Sequence, residues 1–496
     1  MIGPHRIFPV FTRLFSFCTL GCVATLTVAA ETTLTLDEAI HLALQHNQQI
    51  KVQSFAQPIA RANLLAALGQ FDPSLNFGRS YSEDGTPYSA DPLVKQLVQT
   101  DSYSVSIQGL SPWGLTYNIG ANAENQRSTI ATTTFPQGFL SFAGISVTQP
   151  LLRGFGFGPN LVGVRVAKAN RAIADWQFRQ TLIDTVTNVI GAYSDLALAQ
   201  EELRIAQRSH DAAAGLLHEN EKRFKVGSMS ESDVTQARAR VAARDEAIVL
   251  GEQAVHDSIN QLRELIGETS FPIQPDPLGI DSPDTPDTVV NPAADLKIAY
   301  DLRPDYQAAR LGLVRSRAND SAARNQLLPQ VNFVGSYGYV GLDQSFAASR
   351  QMVADQENRS YSAGLVVSVP FTFAQGRGNA RAARLQLHQA EADLTRLEQD
   401  IAVAVAHAAG EIDTTRRRVA ADRTAYDLAK QALDAELKKL RAGTSNTFFV
   451  LNLQDQLAGA EFNYYAALAD QRRAHAAYDH ELGRTLVVRH IALDKE

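Results

Sequence analysis

Two hydrophobic periods divide the chain. In one region Val331, Phe333, Tyr337 and Tyr339 alternate with Asn332, Ser336 and Gly338. In another, Tyr361, Ala363, Leu365, Val367 and Val369 alternate with Ser362, Gly364 and Ser368. Period two with one apolar and one small-polar face predicts strands. "YSVSIQGL" (103–110) and "LTYNIGANA" (115–123) alternate in the same way across the tight turn "SPWG". Elsewhere the spacing is 4-3-4-3: Leu182, Val186, Val189, Tyr193, Leu196 and Leu203, then Ala402, Val405, Ala409, Ile412 and Val419. Such heptads predict long helices packed on helices. The first runs from about Asn160 to Val226, about 100 Å at 1.5 Å per residue. Shorter helices are predicted over 36–70, opened by the capping-box pair Thr35 and Glu38, over 293–327, and over 447–483. Stacked end to end, 36–70 and 447–483 match the length of the long helix.

The same order of elements occurs twice. "RANLLAALGQFDPSLNFGRSY" (61–81) aligns without a gap to "RANDSAARNQLLPQVNFVGSY" (317–337). Pro150, Gly156 and Gly158 recur as Pro370, Gly376 and Gly378, and Gly227 and Gly267 recur as Gly443 and Gly483. The units implied are 31–267 and 293–496, with a linker over 268–292 whose six prolines rule out a continuous helix. Pro73 to Pro150 is longer than Pro329 to Pro370, and the surplus holds 103–110 and 115–123. That pair either adds two strands to the first unit, giving four there and two in the second, or decorates an external loop. Polar stretches 84–101 and 126–138 are expected as long loops.

Composition narrows the class. Residues 1–30 carry a basic head (His5, Arg6, Arg13), an apolar stretch from Leu14 to Val28 and small residues ending at Ala30, the pattern of a cleaved secretory leader. Both cysteines, Cys18 and Cys22, lie inside it, so the exported chain has no disulfide, thiolate metal site or cysteine nucleophile. The chain carries a net charge of −7, which makes nucleic acid an improbable partner for an exported protein. No later segment offers about 18 consecutive apolar residues, so a membrane can be crossed only by strands. The alternating strands fit a transmembrane barrel, whose lipid and lumen faces alternate, and a soluble sandwich has the same period. The leader, the aromatic residues near strand ends (Phe77, Tyr81, Tyr337, Tyr339, Tyr361) and the heptad helices favour the barrel. Arg79 falls on the apolar row and fits only at headgroup level.

"QPLLRGFGFGPN" (149–160) looks at first like a phosphate loop. The third glycine of a dinucleotide fingerprint would fall at Pro159, and "VPFTFAQGRGNARA" (369–382) repeats the proline and two glycines. Pro150 and Pro370 are therefore expected to end strands, with Gly156, Gly158, Gly376 and Gly378 turning the backbone into the long helices. No catalytic constellation can be named, no cofactor motif is present, and the histidine pairs His41/His46 and His475/His480 lack a ligand set for metal.

With the duplication, "LDEAIHLALQHN" (36–47), "LPQVNF" (328–333) and the exits "QPLL" and "VPF", the chain resembles the TolC-type outer-membrane efflux and secretion channels. A helix-tip motif, Arg223, Phe224, Gly227, Ser230 and Asp233, extends the likeness. The resemblance implies a mixed α and β fold. Transmembrane antiparallel β-barrel strands would continue into a periplasmic α-barrel of long coiled-coil-like helices. It implies a homotrimer in the outer membrane of a Gram-negative-type bacterium, in contact with outer-membrane lipid. A periplasmic adaptor would dock at the tips and tie the channel to an inner-membrane transporter of the RND or ABC kind. The docking residues implied are Arg223, Phe224, Gly227, Ser228, Met229, Ser230 and Asp233, and in the second tip Lys439, Gly443, Thr444, Ser445 and Asn446. Phe449 and Asn452 stand where the family often carries aspartates, so an apolar constriction replaces an acidic ring. Lys439 and Leu440 also depart from the usual basic–aromatic pair. Two functions remain: a passive exit channel, which needs small polar residues along the lumen, and a structural coiled coil or adhesin anchored by strands.

Overall fold

A computed structural model describes residues 34–130, 133–134, 136–267 and 290–492. The leader (1–30) and most of the linker (268–292) lie outside the described residues. The first half contains helices α1 (Leu36–His46), α2 (Gln48–Ser54) and α3 (Ala56–Leu68) and strands β1 (Ser74–Tyr88), β2 (Asp91–Leu110), β3 (Thr116–Ile130), β4 (Thr133–Thr134) and β5 (Gly138–Pro150). Helices α4 (Phe157–Asn160), α5 (Val162–Lys225) and α6 (Glu231–Ile266) follow. The second half contains α7 (Pro292–Leu302), α8 (Pro304–Asn325), β6 (Gln330–Asp343), α9 (Phe346–Ala354) and β7 (Asn358–Ser368). It ends with α10 (Ala374–Arg441), α11 (Thr447–Glu481) and α12 (Thr485–Val488).

The strands form one antiparallel sheet in the order β1-β2-β3-β5-β6-β7, with β4 paired to β3. The surplus pair joins the sheet as β2 and β3, so the first half supplies four long strands and the second two. Stretch 84–101 is not a loop: β1 and β2 continue to a turn near residues 89–90, pairing Glu83 with Gln99 and Thr86 with Gln96. β1 is polar there and β2 places apolar residues on both faces, Leu97 on one and Val98 on the other, so no contrast between faces announces the strands. Stretch 126–138 is likewise partly strand, since β3 runs to Ile130.

The predicted first helix, 36–70, is broken at Asn47. Its Oδ1 accepts from the Gln49 and Ile50 amides and its Nδ2 donates to the Leu265 carbonyl at 2.8 Å. The predicted helix 293–327 is broken before Pro304, where Arg303 takes φ −63° and ψ 120°, the extended conformation that precedes proline. At 1.5 Å per residue the 64 residues of α5 span about 96 Å. α5 packs on α3, α6, α8 and α11, and α10 packs on α7, α8 and α11. The end-to-end partners are therefore α6 with the α1–α2 bend and α11 with the α7–α8 bend, not 36–70 with 447–483. The reason lies in the helix ends: Gly267 abuts His46 and Gly483 abuts Arg303.

Most heptad positions bury as expected from their spacing, but Leu203, Ala402 and Val419 are only half-buried and Ile401 takes the core place expected of Ala402. Leu182, Val186, Val189, Tyr193 and Leu196 form one core with Ile40, Ala43, Ile259 and Leu262. Ile401, Val405, Ala409 and Ile412 form a second with Tyr478, and a third below the tips joins Leu216, Leu433, Leu440, Val450 and Leu451. Each buried Val, Leu or Ile among them contributes about 1.5–3 kcal/mol, and each alanine less.

Candidate functional site: sheet faces, joints and helix tips

Directly opposed residues in a sheet share a face. The register therefore aligns Leu75, Ile107, Ile119, Ile145, Tyr337 and Tyr361 in one row across all six long strands. The next row, on the opposite face, is Ser74, Gln108, Asn118, Ser146, Ser336 and Ser362. Every member of the first row is apolar or aromatic and 38–71% exposed. An apolar surface of this extent requires a cover. The second row is wholly polar, and Ser336 and Ser362 hydrogen-bond at 2.7 Å. Farther along the strands this face also carries apolar residues, Leu140, Phe142, Val334, Val340 and Val366, and Phe142 has a local task. Its ring edge lies 2.7 Å from where a Cβ on Gly144 or Gly338 would stand, so the ring covers two adjacent glycines. The paired glycines across β5 and β6 were the only sequence signal for it.

Arg79 sits on the apolar face with its charge matched. Its guanidinium is 3.3 Å from Asp101, which also accepts from the Tyr103 hydroxyl at 2.9 Å. The guanidinium lies 5.2 Å from the Tyr103 ring centre.

The joints use Pro150 and Gly156 as expected, but not Gly158, Gly376 or Gly378. Pro150 closes β5, paired with Asn332. The backbone then turns at Gly154 (φ 84°) and Gly156 (φ 85°), whereas Gly158 lies in a helical turn in open space. Asn160 holds the turn by donating to the carbonyls of Gly154 (2.7 Å) and Gly156 (2.8 Å), and Asn325 accepts from the Gly154 amide. The Gly156 amide donates to the Trp113 carbonyl, which ties the β2–β3 turn to the joint. At the second joint β7 ends at Ser368, before Pro370. The left-handed residue is Phe373 (φ 48°), while Gly376 and Gly378 already belong to α10. Gly376 serves close approach instead, since a Cβ there would come within 3.0 Å of the Gln326 carbonyl.

The two tips are built alike. Gly227 and Gly443 both take φ 73°. The Ser228 amide returns to the Arg223 carbonyl and the Thr444 amide to the Lys439 carbonyl, a left-handed helix stop. Ser230 and Asp233 form a reciprocal capping box for α6, and the Asn446 side chain accepts from the Phe449 amide to cap α11. Phe224 is exposed and Met229 half-buried. Leu440 is buried in the core below the tip, which accounts for an aliphatic residue there. Lys439 and Ser445 both bond Glu436, and these bonds hold its carboxyl below the usual range, Ser445 contributing most. Phe448, Phe449 and Asn452 lie exposed on the first turns of α11, with the rings of Phe448 and Phe449 edge to face.

One charged cluster sits midway down the helices. His480 Nε2 lies 2.8 Å from Asp184 and Nδ1 3.4 Å from Glu481. Bonds to Asp184 and Glu481 raise its pKa to about 9. Glu481, bonded to His480 and Arg303, falls to about 2. Among the described residues no group of three or more His, Cys, Asp or Glu could hold a metal, and no helix is long and apolar enough to cross a membrane.

A two-faced antiparallel sheet set on a layer of helices about 100 Å long defines the class of outer-membrane ducts with a periplasmic extension. The chain belongs to the outer membrane efflux protein family, whose profile matches residues 39–268 and 296–484. Among its relatives, a pyoverdine export outer membrane protein of Pseudomonas aeruginosa is 27% identical over 285 residues, 57% of this chain and 56% of the relative. The outer membrane protein TolC of Vibrio cholerae is 24% identical over 340 residues, 67% of this chain and 76% of the relative. The match thus spans little more than half the length of the pyoverdine export relative. The solved outer-membrane channel OprN shares the fold with a TM-score of 0.69 at 17% identity, covering 90% of this chain and 89% of that one.

Proposed function

We propose that the chain is one protomer of a homotrimeric, passive exit duct in the outer membrane, not an enzyme, and that it serves a tripartite efflux pump or type I secretion system. The paired rows of the sheet carry this reading: six apolar side chains face one way and six polar ones the other. Lipid contacts the first face and the aqueous lumen the second. A structural anchor has no need of the polar row. The trimer is supported by the unfinished edges. Among the described residues β1 and β7 each pair on one side only, and α10 packs on α7, α8 and α11. Copies joined edge to edge would close sheet and helical layer together, which removes the exposed strand edges.

In this reading residues 1–30 are a cleaved leader, 31–267 and 293–496 are two structural repeats, and 268–292 is a linker. The tips around Gly227 and Gly443 dock a periplasmic adaptor tied to an RND or ABC transporter, with Arg223, Ser228, Met229 and Ser230 as contacts. Phe449 and Asn452 narrow the inner mouth. The pyoverdine for which a relative is named is the first cargo to test. Purified protein in planar bilayers should give discrete conductance steps, enlarged by Phe449→Ala. A barrel that stays silent in the wild type and in tip variants would overturn the duct and favour an anchor.

A further inference from the structure

We propose that arginines just below the strand-to-helix joints form a cationic girdle that binds anionic phospholipid headgroups of the periplasmic leaflet. The proposal rests on the membrane-strand reading of the sheet. The chain as a whole is acidic, at −7. Yet residues 157–174 contain Arg165, Lys168 and Arg171 and no Asp or Glu, and residues 371–390 contain Arg377, Arg381 and Arg384 and no Asp or Glu. The positions 377, 381 and 384 fall on one face of α10. With Arg324 and Leu327 at the end of α8 they line a cleft of about 480 Å³. Arg377, Arg381 and Arg384 are exposed, and none makes an ion pair among the described residues.

The vertical order of side chains points to lipid. Leu151, Leu152, Phe155, Phe157, Leu328 and Phe371 are exposed at the joints themselves, and the arginines follow within the next turns of helix. Apolar and aromatic residues followed by cations mark a membrane interface. Arg377 lies three residues and Arg384 ten residues into α10, about 5 and 15 Å below its start. The headgroup layer is about 6 Å thick, arginine stems reach back toward it, and its field extends about 8–10 Å further. A second copy of the chain would not neutralise this patch. The edge it would present at this level, α3 and the turn after it, carries Arg61 and one carboxylate, Asp72.

The test is native mass spectrometry of the full-length protein titrated with phosphatidylglycerol or phosphatidylcholine in detergent. The expected result is preferential retention of phosphatidylglycerol that falls as salt rises. The combined R377Q, R381Q and R384Q variant should lose at least about tenfold of it, and the matching lysine variant should keep most of it. Removing Arg416 and Arg417, midway down α10, should leave retention unchanged. The wild-type preference and its salt dependence stand as a test even if the glutamine variant fails to assemble. No wild-type preference, or equal retention by the glutamine variant, overturns the girdle. Unchanged retention with an altered anion-to-cation permeability ratio places the arginines in the pore and also overturns it. A wild type that binds phosphatidylglycerol but never conducts would sink the duct and leave the girdle standing.

Discussion

Helix α6 ends against the α1–α2 bend, and helix α11 ends against the α7–α8 bend. Both stop at a left-handed glycine, Gly267 at φ 75° and Gly483 at φ 66°. What secures the contact differs. In the first half a neutral amide does it, Asn47 donating to the Leu265 carbonyl. In the second half Arg303 bonds Glu481 and Asp305, while His480 sits between Glu481 and Asp184. The same bend is thus secured by a neutral amide in one half and by a charged cluster in the other.

The glycines are the shared part, and replacing them should have the largest effect. A Cβ at Gly267 would come within 2.4 Å of the His46 carbonyl, and one at Gly483 within 2.9 Å of Arg303 backbone. Gly267→Val and Gly483→Val combine that clash with a conformation β-branched residues avoid, so each should cost about 3 kcal/mol or more. Thermal melts and the yield of assembled protein would check this. A large loss in one half and none in the other would break the parallel between the bends.

The clamps should then separate the halves by pH. The folded-state pKa of His480, about 9, lies above its ordinary 6.5, so its contribution is full below pH 6.5 and lost as pH rises through 9. That of Glu481, about 2, lies below its ordinary 4.5, so its contribution is full above pH 4.5 and lost as pH falls toward 2. The cluster is complete between pH 4.5 and 6.5. His480→Ala should cost roughly 1–3 kcal/mol at pH 6 and little at pH 10. Asn47→Ala should cost roughly 1–2 kcal/mol at both. Melting midpoints across pH would decide; a His480→Ala deficit that does not shrink between pH 6 and 10 would remove the distinction.

The tips offer a control in which the halves agree. Gly227 and Gly443 share φ 73° and have open space where a Cβ would stand. Gly227→Ala and Gly443→Ala should each cost about 1 kcal/mol through backbone strain alone, by the same amount in melts. A difference well above that would mean one tip carries a contact the other lacks.

Patterns set by a regular period were legible along the chain. The alternation through 331–339 and 361–369 and the heptad from Leu182 to Leu196 put the right side chains on the right faces. The tip glycines were legible because a helix stop demands a left-handed residue. Features that lack a period escaped. The outer ends of β1 and β2 show no contrast between faces, since β2 carries apolar residues on both, α9 lies in a connection with no marked alternation, and the break at Asn47 sits inside an unbroken helical pattern. Asn160 holds the first joint through two short-range side-chain bonds, and Asn325 and Trp113 through single hydrogen bonds to residues far apart in sequence. Phe142 follows from a pair of glycines that only pairing of β5 with β6 brings together.

Phe373 is the sharpest of these, because sequence logic assigns its task to glycine. At the first joint Gly154 and Gly156 take the left-handed turns; at the second a half-buried phenylalanine does. A non-glycine residue there costs about 1–2 kcal/mol. Phe373→Gly would relieve that strain, but glycine gains freedom in the unfolded chain, about 0.5–1 kcal/mol, and the ring's partial packing is lost. The terms nearly cancel, so the melt should move by less than about 1 kcal/mol in either direction. Gly156→Ala, with no Cβ neighbour within 4 Å, has only the strain of a positive φ with extended ψ (φ 85°, ψ 179°), about 1–3 kcal/mol against it. If Phe373→Gly instead destabilised as much as Gly156→Ala, the ring rather than the backbone would be holding the second joint, most simply by packing on a neighbouring copy.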